Sequence, residues 1–287
     1  MKQAQDLGYK SEARRGLLFV FMAGVLWSTV GLGIRMIDEA TVWQILLYRS
    51  ISLSLFLAIV IYLRSSENLF TVVRAAGLPA CIAGLALVGA YAGGIYGIQS
   101  TSVANAMLLF ASAPFMAAIL GWIFLREKVR KATWISILFA MLGIGIMVQD
   151  KSTGSALLGN LAALGSAFGF AVFTVALRWG RSGEMLPAVF LSGIFAIFIT
   201  SSICLLSGLS FQISVNDTSI SMGMGVFQVG AGLVLYTLGS KTLPAAELTL
   251  LSLAEVLLGP LWVYLFLNEV ATFNTLFGGL VLLLAIA

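Results

Sequence analysis

Glu255 and Arg49 are ionisable side chains set deep in apolar runs. A charge inside a bilayer costs at least a few kcal/mol, so such groups persist where they bind or relay something. Glu255 lies ten residues into the stretch 245–267. A carboxylate is too short to reach the interface from there. Its helical neighbours at i−3, i+4 and i+7 are Ser252, Gly259 and Trp262. Polar, small, then aromatic is the lining expected of a cavity with a substrate anchor. Glu255 is therefore a candidate to bind a substrate amine, a coupling proton, or both. The alternative is a protonated acid hydrogen-bonded to a neighbouring helix. Arg49 lies about eight residues into 41–63, roughly 12 Å along a helix. Half the hydrocarbon core is about 15 Å. Arg49 either snorkels outward, sits in a structural pair, or turns inward to hold a carboxylate. The chain has no histidine, so any side-chain proton relay rests mainly on carboxylates.

Other candidate binding residues line further apolar segments. Gln228, Gly232 and Tyr236 share a helical face, Tyr96 lies with Gly89 and Gly93, and Asn105 opens another segment. Trp27 and Phe170 occupy corresponding positions in the two halves. An aromatic-lined cavity with sparse polar anchors suits amino acids with apolar or aromatic side chains. Trp43, Tyr48, Tyr62 and Trp134 fall near segment ends and read as interfacial belts. Glu127 and Glu269 read as structural, each favouring the positive start of the helix that follows it. The faces Gly89-x-x-x-Gly93-x-x-x-Gly97 and Gly165-x-x-x-Gly169 allow close helix approach. No phosphate loop, nucleophile elbow or His-Glu-x-x-His is present. Cys81 and Cys204 make no disulfide framework and no metal pattern. We therefore expect no enzyme, no metal and no cofactor.

These side chains need a scaffold, and the composition names it. Of 287 residues, 60% are apolar and 10% charged, with mean hydropathy +1.04. Soluble domains carry about 25% charged residues. A soluble fold of this size could not hide so much apolar surface. The reading is an integral membrane protein. Apolar residues run consecutively, as in 53–63, which excludes the alternating strands of a β-barrel. Ten spans fit: 16–36, 41–63, 75–98, 103–125, 132–149, 156–178, 186–207, 219–240, 245–267 and 272–287. The run 17–37 exceeds a signal-peptide core and lacks a clear cleavage site, so it reads as a retained helix. Polar breaks fall at 38–39, 65–68, 150–154 and 216–218.

With a cytoplasmic N-terminus, 13 of the 16 Lys and Arg residues fall on the inner side. They are Lys2, Lys10, Arg14, Arg15, Arg64, Arg74, Arg126, Lys128, Arg130, Lys131, Arg178, Arg181 and Lys241. Only Arg35 and Lys151 fall outside, which is a positive-inside pattern with both termini cytoplasmic. The net charge of +4 is thus a matter of topology and does not point to nucleic acid.

The chain also repeats itself at an offset near 142. Ala106–Pro114 and Gly121–Glu127 line up with Leu248–Val256 and Val263–Glu269. Glu127 matches Glu269, Trp122 matches Tyr264, and at offset 143 Arg35 matches Arg178. Five spans per copy is an odd number, so the second copy enters the membrane inverted. The charges agree: the loop 125–131 carries four cations and its counterpart 267–273 none. Inverted repeats are typical of secondary transporters, with substrate near the midplane at the repeat interface.

The end of each copy is an apolar helix, Leu-x-Glu, a polar turn and a glycine-containing helix. The residues are Pro114, Leu125-Arg-Glu127 and Gly143, then Pro260, Leu267-Asn-Glu269 and Gly278. This pattern resembles the EamA domain of the drug/metabolite transporter superfamily, over essentially the whole chain. The overall sequence is most similar to the bacterial aromatic amino acid exporter branch. The resemblance implies an all-α membrane fold of ten helices. They would form two inverted repeats, 16–149 and 150–287, around a central cavity after a tail of residues 1–15. It implies export of small metabolites across a bacterial inner membrane. Pro114 has no proline partner at Val256, and Glu255 stands where the first copy has Ala113, so the copies are not interchangeable.

The expectation is an amino acid exporter working by alternating access. Partners are a small-molecule substrate, protons as a further candidate, and the lipid bilayer; the sequence leaves the oligomeric state open, a monomer being compatible with it. The alternatives are a passive metabolite or ion channel, an exporter of organic cations, or a membrane-embedded sensor.

Overall fold

The structure is a computed structural model that describes residues 2–64, 68–149, 155–180, 185–240 and 245–286. Side chains of 2–13, 69, 149, 155, 240, 245–253 and 286 are not described. Ser252 and the matched positions 248–253 thus lie outside the described side chains. Lys151, Arg181, Lys241 and the breaks at 65–67 and 150–154 lie outside the described residues.

The described residues are helical, with no strand among them. Lipid offers no partner for a backbone N–H or C=O, so each segment must satisfy its own hydrogen bonds. The elements are α1 (Lys2–Ser28), α2 (Val30–Arg35), α3 (Val42–Arg64), α4 (Leu69–Ser100), α5 (Val103–Phe110), α6 (Ala113–Leu125) and α7 (Lys131–Gln149). Then come α8 (Ser155–Trp179), α9 (Leu186–Leu206), α10 (Val215–Gly223), a π-helical stretch (Met224–Ala231), α11 (Gly232–Ser240), α12 (Ala245–Leu267) and α13 (Phe273–Ile286). Eight helical segments are long and apolar enough to cross a membrane, and two shorter apolar ones, Ala254–Leu267 and Phe273–Ala285, follow. The chain is a multi-pass helical membrane protein.

Four expected spans are not single uninterrupted α-helices. The first breaks at Thr29, where Ser28 and Thr29 turn their hydroxyls back onto the carbonyls of Val25 and Leu26. The fourth breaks at Ala111-Ser112, with Pro114 in the first turn of α6, where its missing N–H is harmless. The eighth widens into the π stretch, a form that recurs at functional sites. The third begins earlier than its apolar run, at Leu69. It is interrupted at Gly77, whose φ of 63° and ψ of −163° belong to a region that essentially only glycine occupies.

The helices pack through small residues. α4 lies along α8, α9 lies on α3 and α4, α1 lies on α11 and α12, and α13 lies on α7. A Cβ at Gly93 would stand 2.7 Å from the Ala162 carbonyl oxygen, and one at Gly169 2.8 Å from that of Ala86. Gly97 is less tight, with a Cβ there 3.2 Å from the Gly159 carbonyl oxygen and from Ala163 Cβ. The close approach expected of these faces holds at these three positions. Gly89 and Gly165 have open space beside them. Gly143 and Gly278 bring α7 and α13 together in the same way.

Candidate functional site

The break at the end of α1 lies where α1 packs on α11 and α12. Trp27 sits at the end of α1, and its ring lies 5.3 Å from that of Tyr236. Gly232 lies directly beneath the Trp27 indole nitrogen, so the absent side chain makes room for the ring. One residue on, Ser28 is fully buried and accepts a 2.8 Å hydrogen bond from Trp262 Nε1. Gly259 faces Met107 of α5 and the Ser28 carbonyl. Glu255, one helical turn before Gly259, is half-buried. Among the described residues it makes no ion pair. The structure thus brings Tyr236 of α11 and Trp262 of α12 to the end of α1 at Trp27 and Ser28, with Glu255 two turns before Trp262 on α12. Three aromatic rings and one carboxylate can hold an apolar body and a cationic head.

Arg49 turns inward. It is 3% exposed, its guanidinium lies 4.3 Å from the centre of the Tyr91 ring, and Nε and Nη2 find no hydrogen-bond partner among the described residues. A buried guanidinium stacked on an aromatic face keeps part of its stabilisation by cation–π attraction. Its unused donors remain available to a carboxylate. Gln228 lies in the π stretch, which packs on α3. It is 8% exposed, and its Oε1 is likewise unpartnered.

The remaining candidates stand elsewhere. Asn105 is buried in a polar knot between helices: its Nδ2 donates to Asn160 Oδ1 on α8 and its Oδ1 accepts from Thr275 on α13. Its amide therefore joins helices. Tyr96 is 37% exposed and carries no ring contact among the described residues. Phe170 stacks near Phe173 at 5.5 Å and is exposed, unlike its counterpart Trp27.

Glu127 and Glu269 depart from expectation. Neither serves simply the helix that follows it. Glu269 Oε2 accepts from Arg35 Nε at 2.9 Å, and Oε1 accepts from the Val103 N–H, the first of α5, at 2.7 Å. Arg35 also donates to the Thr101 carbonyl at 2.7 Å. Glu127 accepts from Arg178 at 2.6 Å. The residues before them, Arg126 and Asn268, both take the left-handed conformation, with φ of 55° and 54°.

Tyr91, Ser28, Asn160 and Asp217 were not singled out from the sequence. Asp217 is fully buried and accepts the backbone N–H groups of Asp38, Glu39 and Ala40. It fixes the turn between α2 and α3. The pattern Ser214-x-x-Asp217 carried a signal, since Ser214 caps α10 by accepting from the Asp217 N–H. Among the described residues no group of three or more potential metal ligands occurs.

A many-helix bundle with several interrupted apolar spans defines a multi-pass membrane protein as its class. The comparisons specify it further. The EamA-like transporter family matches residues 14–149 and 157–287, and the chain belongs to that family. It is 27% identical over 180 residues to an uncharacterized transporter, YwfM, of Bacillus subtilis, covering 60% of this chain and 59% of YwfM. It is 25% identical to the protein RarD of Escherichia coli, covering 66% and 64%. The chain thus spans less than two thirds of these relatives. It is 21% identical to human solute carrier family 35 member G1, covering 92% and 76%. A solved crystal structure superposes with a TM-score of 0.66 over 95% of both chains at 16% identity, which shows a shared fold. The family and YwfM are named as transporters.

Proposed function

We propose that this transporter exports amino acids, aromatic or otherwise apolar ones favoured, or related small metabolites across the bacterial inner membrane. It works by alternating access between two inverted five-helix units, 16–149 and 150–287, with both termini cytoplasmic. The observation that carries the reading is the crossed pair of ion pairs. Arg35 of the first unit holds Glu269 of the second, and Arg178 of the second holds Glu127 of the first. Arg35 and Arg178 correspond at offset 143, and Glu127 and Glu269 at offset 142. Five helical rods separate the end of α6 from the end of α12, so the two pairs fall at opposite faces of the bundle. Two equivalent clasps, one per face, suit a machine that opens one face while the other is closed.

In this reading the pocket is the aromatic cluster of Trp27, Tyr236 and Trp262. Glu255, with Ser252 a turn away, takes the substrate amine or a coupling proton. Arg49 and Gln228 supply a donor and an acceptor for the substrate carboxylate in the conformation that opens toward α3. Asn105 contributes by holding α5, α8 and α13 together, and Tyr96 remains a further candidate contact to substrate.

The test is export of labelled amino acids from liposomes holding the purified protein, with and without an imposed pH gradient. Saturable flux with exchange supports the reading. Absence of saturable flux for every amino acid overturns it. Non-saturating conductance across a planar bilayer would assign the protein to channels instead. Tags at the two chain ends found on different sides of the membrane would remove the inverted pairing.

A further inference from the structure

The turn between α6 and α7 holds an open cavity of about 700 Å3, lined by Trp122, Ile123, Arg126, Glu127, Lys128 and Trp134 among others. Trp122 and Trp134 meet edge to face at 5.4 Å, one on the last turns of α6 and one on the first turn of α7. Both indoles are exposed, at 50% and 38%, as are Arg126 and Lys128. The one carboxylate in the wall, Glu127, is already neutralised by Arg178. Among the described residues neither Arg126 nor Lys128 makes an ion pair, so the cavity presents two cations beside an aromatic floor. Beside the floor, Ile123, Phe124, Ile135 and Leu138 form an exposed apolar strip along α6 and α7.

We propose that this cavity binds the headgroup of an anionic phospholipid. The phosphate rests against Arg126 and Lys128, the glycerol region lies on the two indoles, and the acyl chains follow the apolar strip. Cations clustered at a membrane boundary attract anionic lipid, and Trp rings settle at headgroup level. The apolar strip is what distinguishes a lipid from a free phosphate, which would have no use for it. The corresponding turn of the second half, Leu267–Phe273, carries no cation and has Tyr264 in place of Trp122. The corresponding turn therefore has no such site, and this one recognises the lipid of one leaflet. The proposal is independent of what the protein transports.

The test uses the full chain in phosphatidylcholine vesicles doped at equal low fractions with brominated phosphatidylglycerol or brominated phosphatidylcholine. Bromine quenches tryptophan at close range, and the share due to this site is the difference between the wild type and a Trp122→Phe/Trp134→Phe variant. We expect that share to be quenched several-fold more by the anionic lipid. Each cation near the surface contributes about fivefold in local preference, so Arg126→Gln/Lys128→Gln should abolish the difference. Arg126→Lys, which keeps the charge, should retain it. Equal quenching by the two lipids, or a preference unchanged in the double Gln variant, overturns the proposal. Relief of quenching by added inorganic phosphate would assign the cavity to a soluble phosphate and equally overturn the lipid.

Discussion

Arg35 and Glu269, 234 residues apart in the chain, form a 2.9 Å ion pair whose carboxylate also caps α5 at Val103. Both side chains are about a quarter exposed, so the Coulombic part is modest. The larger contribution comes from hydrogen bonds that a neutral partner cannot fully replace. Glu269→Gln should lower stability by about 2 kcal/mol. Arg35→Gln should act similarly, and the double variant should lose much less than the two singles added together. Glu127→Gln should lose about 1 kcal/mol or less, because Arg178 and Glu127 are 50% and 35% exposed. Thermal unfolding of the four variants in one detergent checks this. Additive losses for Arg35 and Glu269 would mean the pair is not coupled.

Glu255 has no ionic partner among the described residues, so its removal should spare folding and affect flux. Glu255→Gln keeps shape and hydrogen-bonding capacity while deleting the charge. We expect insertion and thermal stability near wild type and export slowed by about tenfold or more, the effect of losing one charge-assisted contact. Liposome flux and a melting curve on the same preparation separate the two. Wild-type flux in this variant would take Glu255 out of the site.

Arg49 depends on Tyr91. With the guanidinium buried and 4.3 Å from the ring centre, the attraction amounts to about 2 kcal/mol in a desolvated setting. Tyr91→Leu should therefore destabilise the protein by roughly that amount, and Tyr91→Phe, which keeps the ring, by much less. Arg49→Lys should lower export even where it folds, since an ammonium cannot reproduce the planar fork that grips a carboxylate. Equal melting temperatures for the Phe and Leu variants would remove the ring from the account.

The helical class was legible because a lipid-facing helix must be apolar along its whole length, which no local detail can disguise. Glu255, Trp262 and Trp27 drew attention in the sequence for a related reason: polar or large aromatic groups stand out against that background. Asn105 stood out equally, yet the fold uses it to join α5, α8 and α13. A polar residue in lipid can be binding ligand or binding helices, and sequence spacing does not separate the two. The break at Thr29 and the π stretch at 224–231 were not legible. Both lie at tertiary contacts that the local sequence does not show, the first beside Trp262 and the second against α3. Tyr91 escaped notice because an aromatic residue in a span looks like core until a buried cation is found on its face.

Gly143 and Gly278 give the sharpest packing test. A Cβ on either would lie 2.6 Å from the carbonyl oxygen of the other, a distance real side chains do not occupy. Neither helix backbone can yield without separating α7 from α13. Gly143→Ala and Gly278→Ala should each destabilise by about 1–3 kcal/mol through overpacking. The double variant should cost clearly less than the two added, because helices already pushed apart admit the second methyl freely. Gly145, two residues along the same helix, has nothing within 4 Å of its would-be Cβ. Gly145→Ala should be neutral or stabilise by up to about 1 kcal/mol, as alanine is the better helix former. Melting temperatures of all four variants decide it. A loss at Gly145 equal to that at Gly143 would mean the effect is one of helix propensity and the close approach of α7 and α13 is not what holds them.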